Sequence, residues 1–174
     1  HKEYRRQRQM CIRDRDSPSV VMLLAGAWDI YTRDWGNGPT APGDPEFDRQ
    51  YRATLDATID ALTSTGTQAV IVSTPCFAPP PGSEANNGQH PERSAALVAV
   101  QRDAVADANL RRPESVVLVD LNSISCDAGF TRRFEGVEWR PDGTHFSVDG
   151  SRVAARWILA RLPADTRSRL GLTP

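Results

Sequence analysis

The sequence is nearly without lysine: Lys2 is the only one in 174 residues, and arginine carries the positive charge everywhere else. Net charge is -1, so no excess of basic side chains marks a nucleic-acid or anionic-membrane surface, and no nucleic-acid partner is expected. Long hydrophobic runs are missing too. The longest, Val20 to Ala27, falls far short of the roughly 20 residues a membrane helix needs, and no signal-peptide core stands at the N-terminus. Cysteine is scarce at three, with none in a CxxC or CxxH spacing, which leaves a zinc site without support. No GxGxxG or GxxxxGK[ST] follows an apolar run, which argues against a dinucleotide or P-loop enzyme.

What is present, 39% apolar and 25% charged residues, can bury the core of one domain. The near-zero net charge hides a split. Residues 1–15 hold six basic side chains (Lys2, Arg5, Arg6, Arg8, Arg13, Arg15) against Glu3 and Asp14, leaving 15 basic and 20 acidic residues, a net -5, after them. A basic arm is one reading of that segment. Arg5-Arg-Gln-Arg-Gln-Met-Cys-Ile-Arg-Asp-Arg15 reads instead as the translated adapter of a sequencing library, so residues 1–15 are set aside and the domain is taken as 16–174.

From Asp16 the pattern alternates strand and helix. Ser19 to Ala25 is a continuous apolar run between Pro18 and Gly26, as expected of a parallel strand buried on both faces. Phe47, Tyr51, Leu55, Ile59 and Leu62 recur at helical spacing up to Gly66, a C-cap residue, predicting a helix over 47–65. Gln68 to Ser73 and Ser115 to Val119 read as further buried strands. Pro91 opens a helix with Leu97, Val100, Ala104 and Ala108 on one face, and Val148 to Leu162 is a last helix. Long loops fill Trp35 to Pro45, Thr74 to His90 and the stretch from Asp120 to Phe146. This order predicts an α/β fold, a three-layer doubly wound parallel sheet whose working residues lie past the carboxyl ends of the strands. Those positions are Gly26-Ala-Trp-Asp29, Ser73-Thr-Pro-Cys76 and Asp120-Leu-Asn122. Cys76 and Cys126 would share that edge, where a disulfide pinning two loops and a pair of free buried thiols are the two readings.

The last loop carries the chemistry. Arg140-Pro-Asp142-Gly-Thr-His145-Phe-Ser sets an aspartate three residues before a histidine with a glycine between them. A tight turn there can fold the carboxylate onto the imidazole Nδ1–H and leave Nε2 as a general base for a hydroxyl nucleophile. A structural Asp–His bond capping the next helix would use the same letters. Of the other histidines, His1 lies in the set-aside segment and His90 in a Pro/Gly-rich loop.

Asp142-Gly-Thr-His145-Phe-Ser-Val-Asp-Gly-Ser resembles the last block of SGNH (GDSL-type) hydrolases, in which D-x-x-H supplies aspartate and histidine to a serine. Gly26-Ala-Trp-Asp29 is similar to their G-x-N-D block. The nearer likeness is to the SGNH domains fused to bacterial membrane acyltransferases, carried by Val20 to Asp29, Thr74 to Phe77, Val117 to Asn122 and Arg140 to Gly150. The resemblance implies a flavodoxin-like SGNH fold and ester hydrolysis or acyl transfer with no metal or organic cofactor. It further implies O-acetyl esters of cell-surface glycans as substrate, a membrane acyltransferase domain as partner in the parent chain, and an extracytoplasmic location. Catalysis would fall to His145 and Asp142.

Two departures stand against the family pattern. No G-D-S block with its nucleophile occurs in the chain; the first strand that would carry it is expected to be missing with it, which would leave its neighbour open along one edge. Asp16-Ser17-Pro18 imitates the block but precedes a strand instead of following one, so Ser17 is not taken as the nucleophile. The asparagine of G-x-N-D, an oxyanion donor, is Trp28 here; its indole N–H can be a donor, its ring a wall of the substrate pocket, or the side chain plain packing. Gly26 and Asp29 belong with it in the pocket, Asp29 orienting the loop or capping a turn. Asn122 and Asp120 are cleft residues or turn formers. Arg140 holds an anionic substrate group or pairs with Glu138 on the surface, and Arg93 carries the same ambiguity. The fragment itself is expected to be inactive. A non-catalytic carbohydrate-binding or scaffold module on the same fold, and a free-standing secreted esterase, are the alternatives.

Overall fold

The computed structural model describes residues 18–78, 90–126 and 129–172; the segment 1–15 and Ser17 lie outside them. Three parallel strands form the centre. They are β1 (Val20–Leu24), β4 (Gln68–Val72) and β5 (Val116–Val119), in the order β1-β4-β5, with Val20 opposite Gln68 and Ala69 opposite Val116. β4 is buried along its whole length, and its period-two alternation divides the core. Ala69 and Ile71 face one side, where they meet Phe47, Tyr51, Leu55 and Ile59 of α1 (Pro45–Thr63) and Leu97, Ala104, Val105 and Ala108 of α2 (Pro91–Arg111). Val70 and Val72 face the other, against Ala154, Trp157 and Ile158 of α4 (Val148–Ala160) and Leu162. Two helices, one sheet and one helix make the three layers of the α/β fold.

The helices run where the spacing placed them, within two residues at most ends. Gly66 follows α1 at φ +82°, and its N–H closes the last turn on the Thr63 carbonyl at 3.2 Å. β1 departs from its expectation of burial on both faces. It is an edge of the described sheet, and Met22 and Leu24 are 42% and 46% exposed. Its apolar sequence therefore exceeds the cover that the described residues give it. Two small hairpins fold back within the expected loops: β2 (Arg33–Asp34) with β3 (Pro39–Thr40), and β6 (Arg133–Phe134) with β7 (Val137–Glu138). A one-turn helix, α3 (Asn122–Ser125), follows β5, and α5 (Ala164–Arg169) ends the described chain. Among the described residues no helix is long and apolar enough to cross a membrane.

Candidate active site

The carboxyl ends of β1 and β4 are sealed by a buried polar cluster. Thr74 donates to the Ala25 carbonyl at 3.3 Å, Gln101 Nε2 donates to Thr74 Oγ1 and to Tyr51 Oη at 2.9 Å each, and the Thr74 N–H donates to Gln101 Oε1 at 3.1 Å. Burial, with the Asp29 charge beside it, pushes the Tyr51 phenol up to about 12, so it stays protonated as a hydrogen-bonding group. Gly26 turns away from this cluster at φ +121°, and a Cβ there would overlap the Thr74 side chain. Glycine is required at that place on both counts.

Beyond Gly26 the chain turns, with the Asp29 N–H on the Gly26 carbonyl at 3.0 Å. Asp29 does not cap that turn through its side chain. Its Oδ1 accepts from Arg33 at 2.8 Å, and burial raises its pKa against the opposing pull of that arginine. Trp28 is 77% exposed, and among the described residues Tyr31 alone stacks near its ring, at a centroid distance of 5.8 Å. Packing at the strand end is thus the wrong reading of Trp28: a large apolar ring stands in solvent at the edge where a parallel sheet binds ligands. A groove of about 110 Å³ opens nearby, lined by Leu23, Ala25, Asp29, Arg33, Trp35 and Tyr51 among others, and none of its walls comes from the D-x-x-H turn.

That turn leaves Trp139 and returns at Ser147, whose N–H donates to the Trp139 carbonyl at 2.8 Å. Ser147 then caps α4, its Oγ accepting from the Gly150 N–H at 2.9 Å. Gly150 is small by necessity, since a Cβ would run into the Trp139 backbone. Inside the turn, Gly143 takes φ +78° and donates to the Arg140 carbonyl at 3.1 Å. Asp142 Oδ1 accepts from the Thr144 and His145 N–H groups at 2.9 and 2.7 Å, and Oδ2 lies 2.8 Å from His145 Nδ1. The hydrogen bond from the His145 side chain, helped by the Thr144 amide, holds the Asp142 carboxyl down at about 2. The His145 side chain is 83% exposed, and its Nε2 carries no hydrogen bond among the described residues. The arrangement can fix one tautomer and present the other nitrogen to a reactant.

The turn is held at the same sheet edge as Gly26. The Ala78 N–H, beyond β4, donates to the Gly143 carbonyl at 2.9 Å, and Arg140 Nη1 donates to the Cys76 carbonyl. Cys76 is joined by a disulfide to Cys126, Cα to Cα 5.3 Å. Asn122 proves a brace: its Nδ2 donates to the Thr74 carbonyl at 2.8 Å and its N–H to Ser73 Oγ at 2.9 Å. Asp120 accepts from Ser73 at 2.8 Å and from Arg102, which makes it part of the same frame. Arg93 reaches the Ile30 carbonyl at 3.0 Å.

Arg140 overturns its surface expectation. It is fully buried, and Glu138 pairs with Arg132 instead, at 3.4 Å. Four aromatic rings surround Arg140, three of them from its own loop and Phe77 from the loop after β4, and no local spacing in the sequence marks their convergence. The Gln101–Thr74–Tyr51 cluster was missed for the same reason: three polar residues far apart in sequence meet only in the fold. Among the described residues no group of His, Cys, Asp and Glu could hold a metal ion.

No curated protein matches the chain. A family model described as the SGNH domain (fused to AT3 domains) matches residues 3–160, most of the chain through the end of α4. With the parallel sheet and the turn at its carboxyl edge beside that match, the chain belongs to the SGNH domain family, a module of the hydrolase and acyl-transfer kind.

Proposed function

We propose that this domain serves serine-dependent cleavage or transfer of O-acyl esters, with acetyl groups on cell-surface glycans as the substrate class and an acyltransferase domain as its partner in the envelope. His145 is the general base and Asp142 the residue that orients it. The observation that carries this reading is the 2.8 Å contact between Asp142 Oδ2 and His145 Nδ1, made on an exposed turn that leaves Nε2 open. A serine hydroxyl would give its proton to that nitrogen while attacking the ester carbonyl. The tetrahedral intermediate would then expel the alkoxide as His145 returns the proton. Gly26, Trp28 and Asp29 stand at the same edge, where the family's oxyanion block lies; Trp28 offers an indole N–H or a wall for the acyl group. The nucleophile belongs to a G-D-S block that this sequence does not contain, so the chain as given is inactive.

The test is hydrolysis of an activated acetyl ester by the chain as given, by a version extended upstream through a G-D-S strand, and by the extended version carrying His145→Ala. Turnover only in the extended chain, lost on His145→Ala, is expected. Turnover by the short chain that vanishes on His145→Ala would reveal a different nucleophile, and silence in all three would move the domain to glycan binding without catalysis.

A further inference from the structure

Arg140 is the only charged residue in the described core with no exposure at all, at 0%. The central carbon of its guanidinium lies 4.6 Å from the ring centre of Phe130, 5.4 Å from Trp139, 5.7 Å from Phe146 and 5.8 Å from Phe77. Nη1 donates to the Cys76 carbonyl, while Nε and Nη2 are buried without a hydrogen-bond partner among the described residues. No carboxylate there forms an ion pair with it, although Asp142 acts on its charge from nearby. The ring faces attract the desolvated cation, but they leave two of its three nitrogens without a hydrogen-bond partner, and an apolar side chain would fill the same space without that penalty. A methionine would suit a box of four rings, so packing does not account for an arginine. What the arginine adds is direction: one N–H aimed at one carbonyl.

That carbonyl is itself fixed. Cys76 is cross-linked to Cys126, and the Cys76 N–H donates to Ser125 Oγ at 3.2 Å. Two residues on, the Ala78 N–H holds the Gly143 carbonyl at 2.9 Å. The loop after β4 therefore grips the turn on both sides of Asp142, through the Arg140 side chain before it and the Gly143 carbonyl after it. With both tethers in place, the Asp142 carboxylate has one orientation, toward His145 Nδ1.

We propose that Arg140 is a positioning residue for the Asp142–His145 pair, tying the turn to the disulfide-bonded loop so that the carboxylate faces the imidazole. The inference rests on the reading of that pair as orienter and base, but its test measures alignment and not turnover. The chain as given, labelled with nitrogen-15, is studied by NMR of the His145 ring, which identifies the proton-bearing nitrogen. The wild-type ring is expected as the Nδ1–H tautomer. Arg140→Met fills the box without a donor; with unchanged circular dichroism, its Nδ1–H population is expected to fall about twofold or more. Exchange of the Ala78 amide is expected to quicken about tenfold in the same variant. Arg140→Lys, which keeps a cationic donor for Cys76, is expected to restore at least half of both signals. Should the methionine variant not fold, Arg140→Gln, too short to reach Cys76, is measured in its place with the same losses expected. Wild-type tautomer and exchange in the folded methionine or glutamine variant would overturn the proposal, as would a lysine variant no better than methionine. A wild-type ring without the Nδ1–H tautomer would instead contradict the orienter-and-base reading, leaving Ala78 exchange to judge the tether.

Discussion

At Asp142 one carboxylate accepts from three donors, two backbone N–H groups and the His145 ring. Because these hold its folded pKa near 2, below the ordinary value of 3.8, its contribution to stability is complete above that ordinary value and is lost as pH falls toward about 2. Asp142→Asn is expected to flatten this part of the acid unfolding curve, with thermal midpoints of the two proteins converging between about pH 4 and pH 2. Equal slopes in wild type and variant would show that the hydrogen bonds do not form in solution. The residue pair was legible in the sequence because D-x-x-H is a local motif, and a turn with glycine inside it needs no tertiary information. Trp28 and Arg140 were not. Their exposure and burial depend on how the loops fold onto the sheet, which no local motif registers, and each ended on the opposite side of the surface from its default.

Helices and strands followed from periodicity, since α1 and β4 carry enough apolar residues at one spacing to fix their faces. The hairpins β2–β3 and β6–β7 escaped it: two-residue strands such as Arg33–Asp34 are too short for any period to register. The disulfide joins elements that periodicity did place, one loop after β4 and one after β5. It closes a separation of 50 residues, so in the chain-entropy account its loss costs about 4 kcal/mol. Replacing Cys76 and Cys126 together by alanine is expected to lower the urea midpoint accordingly, without changing the denaturant slope beyond what a looser unfolded chain contributes. A midpoint that does not move would mean that the loops are held without the bond.

For the molecule as a whole, β1 is the exposed edge of the described sheet. Among the described residues its outer edge pairs with nothing, and Met22 and Leu24 face water on one side of it. Such an edge invites pairing with another copy. Met22→Lys is expected to reduce concentration-dependent light scattering while changing stability by no more than about 0.5 kcal/mol; scattering unaffected by the charge would place the association elsewhere. The same edge is where a strand bearing a nucleophile would dock in the proposed enzyme. The most direct test of that reading is a double-mutant cycle in the version extended through G-D-S, measuring kcat/KM on an activated acetyl ester for His145→Ala, Asp142→Asn and the two combined. Asp142→Asn is expected to lower the value by about ten-thousandfold and His145→Ala by about a millionfold, and the combination to lose no more than the worse single change, because base and orienter act as one unit. Losses that multiply, or full activity in Asp142→Asn, would contradict it.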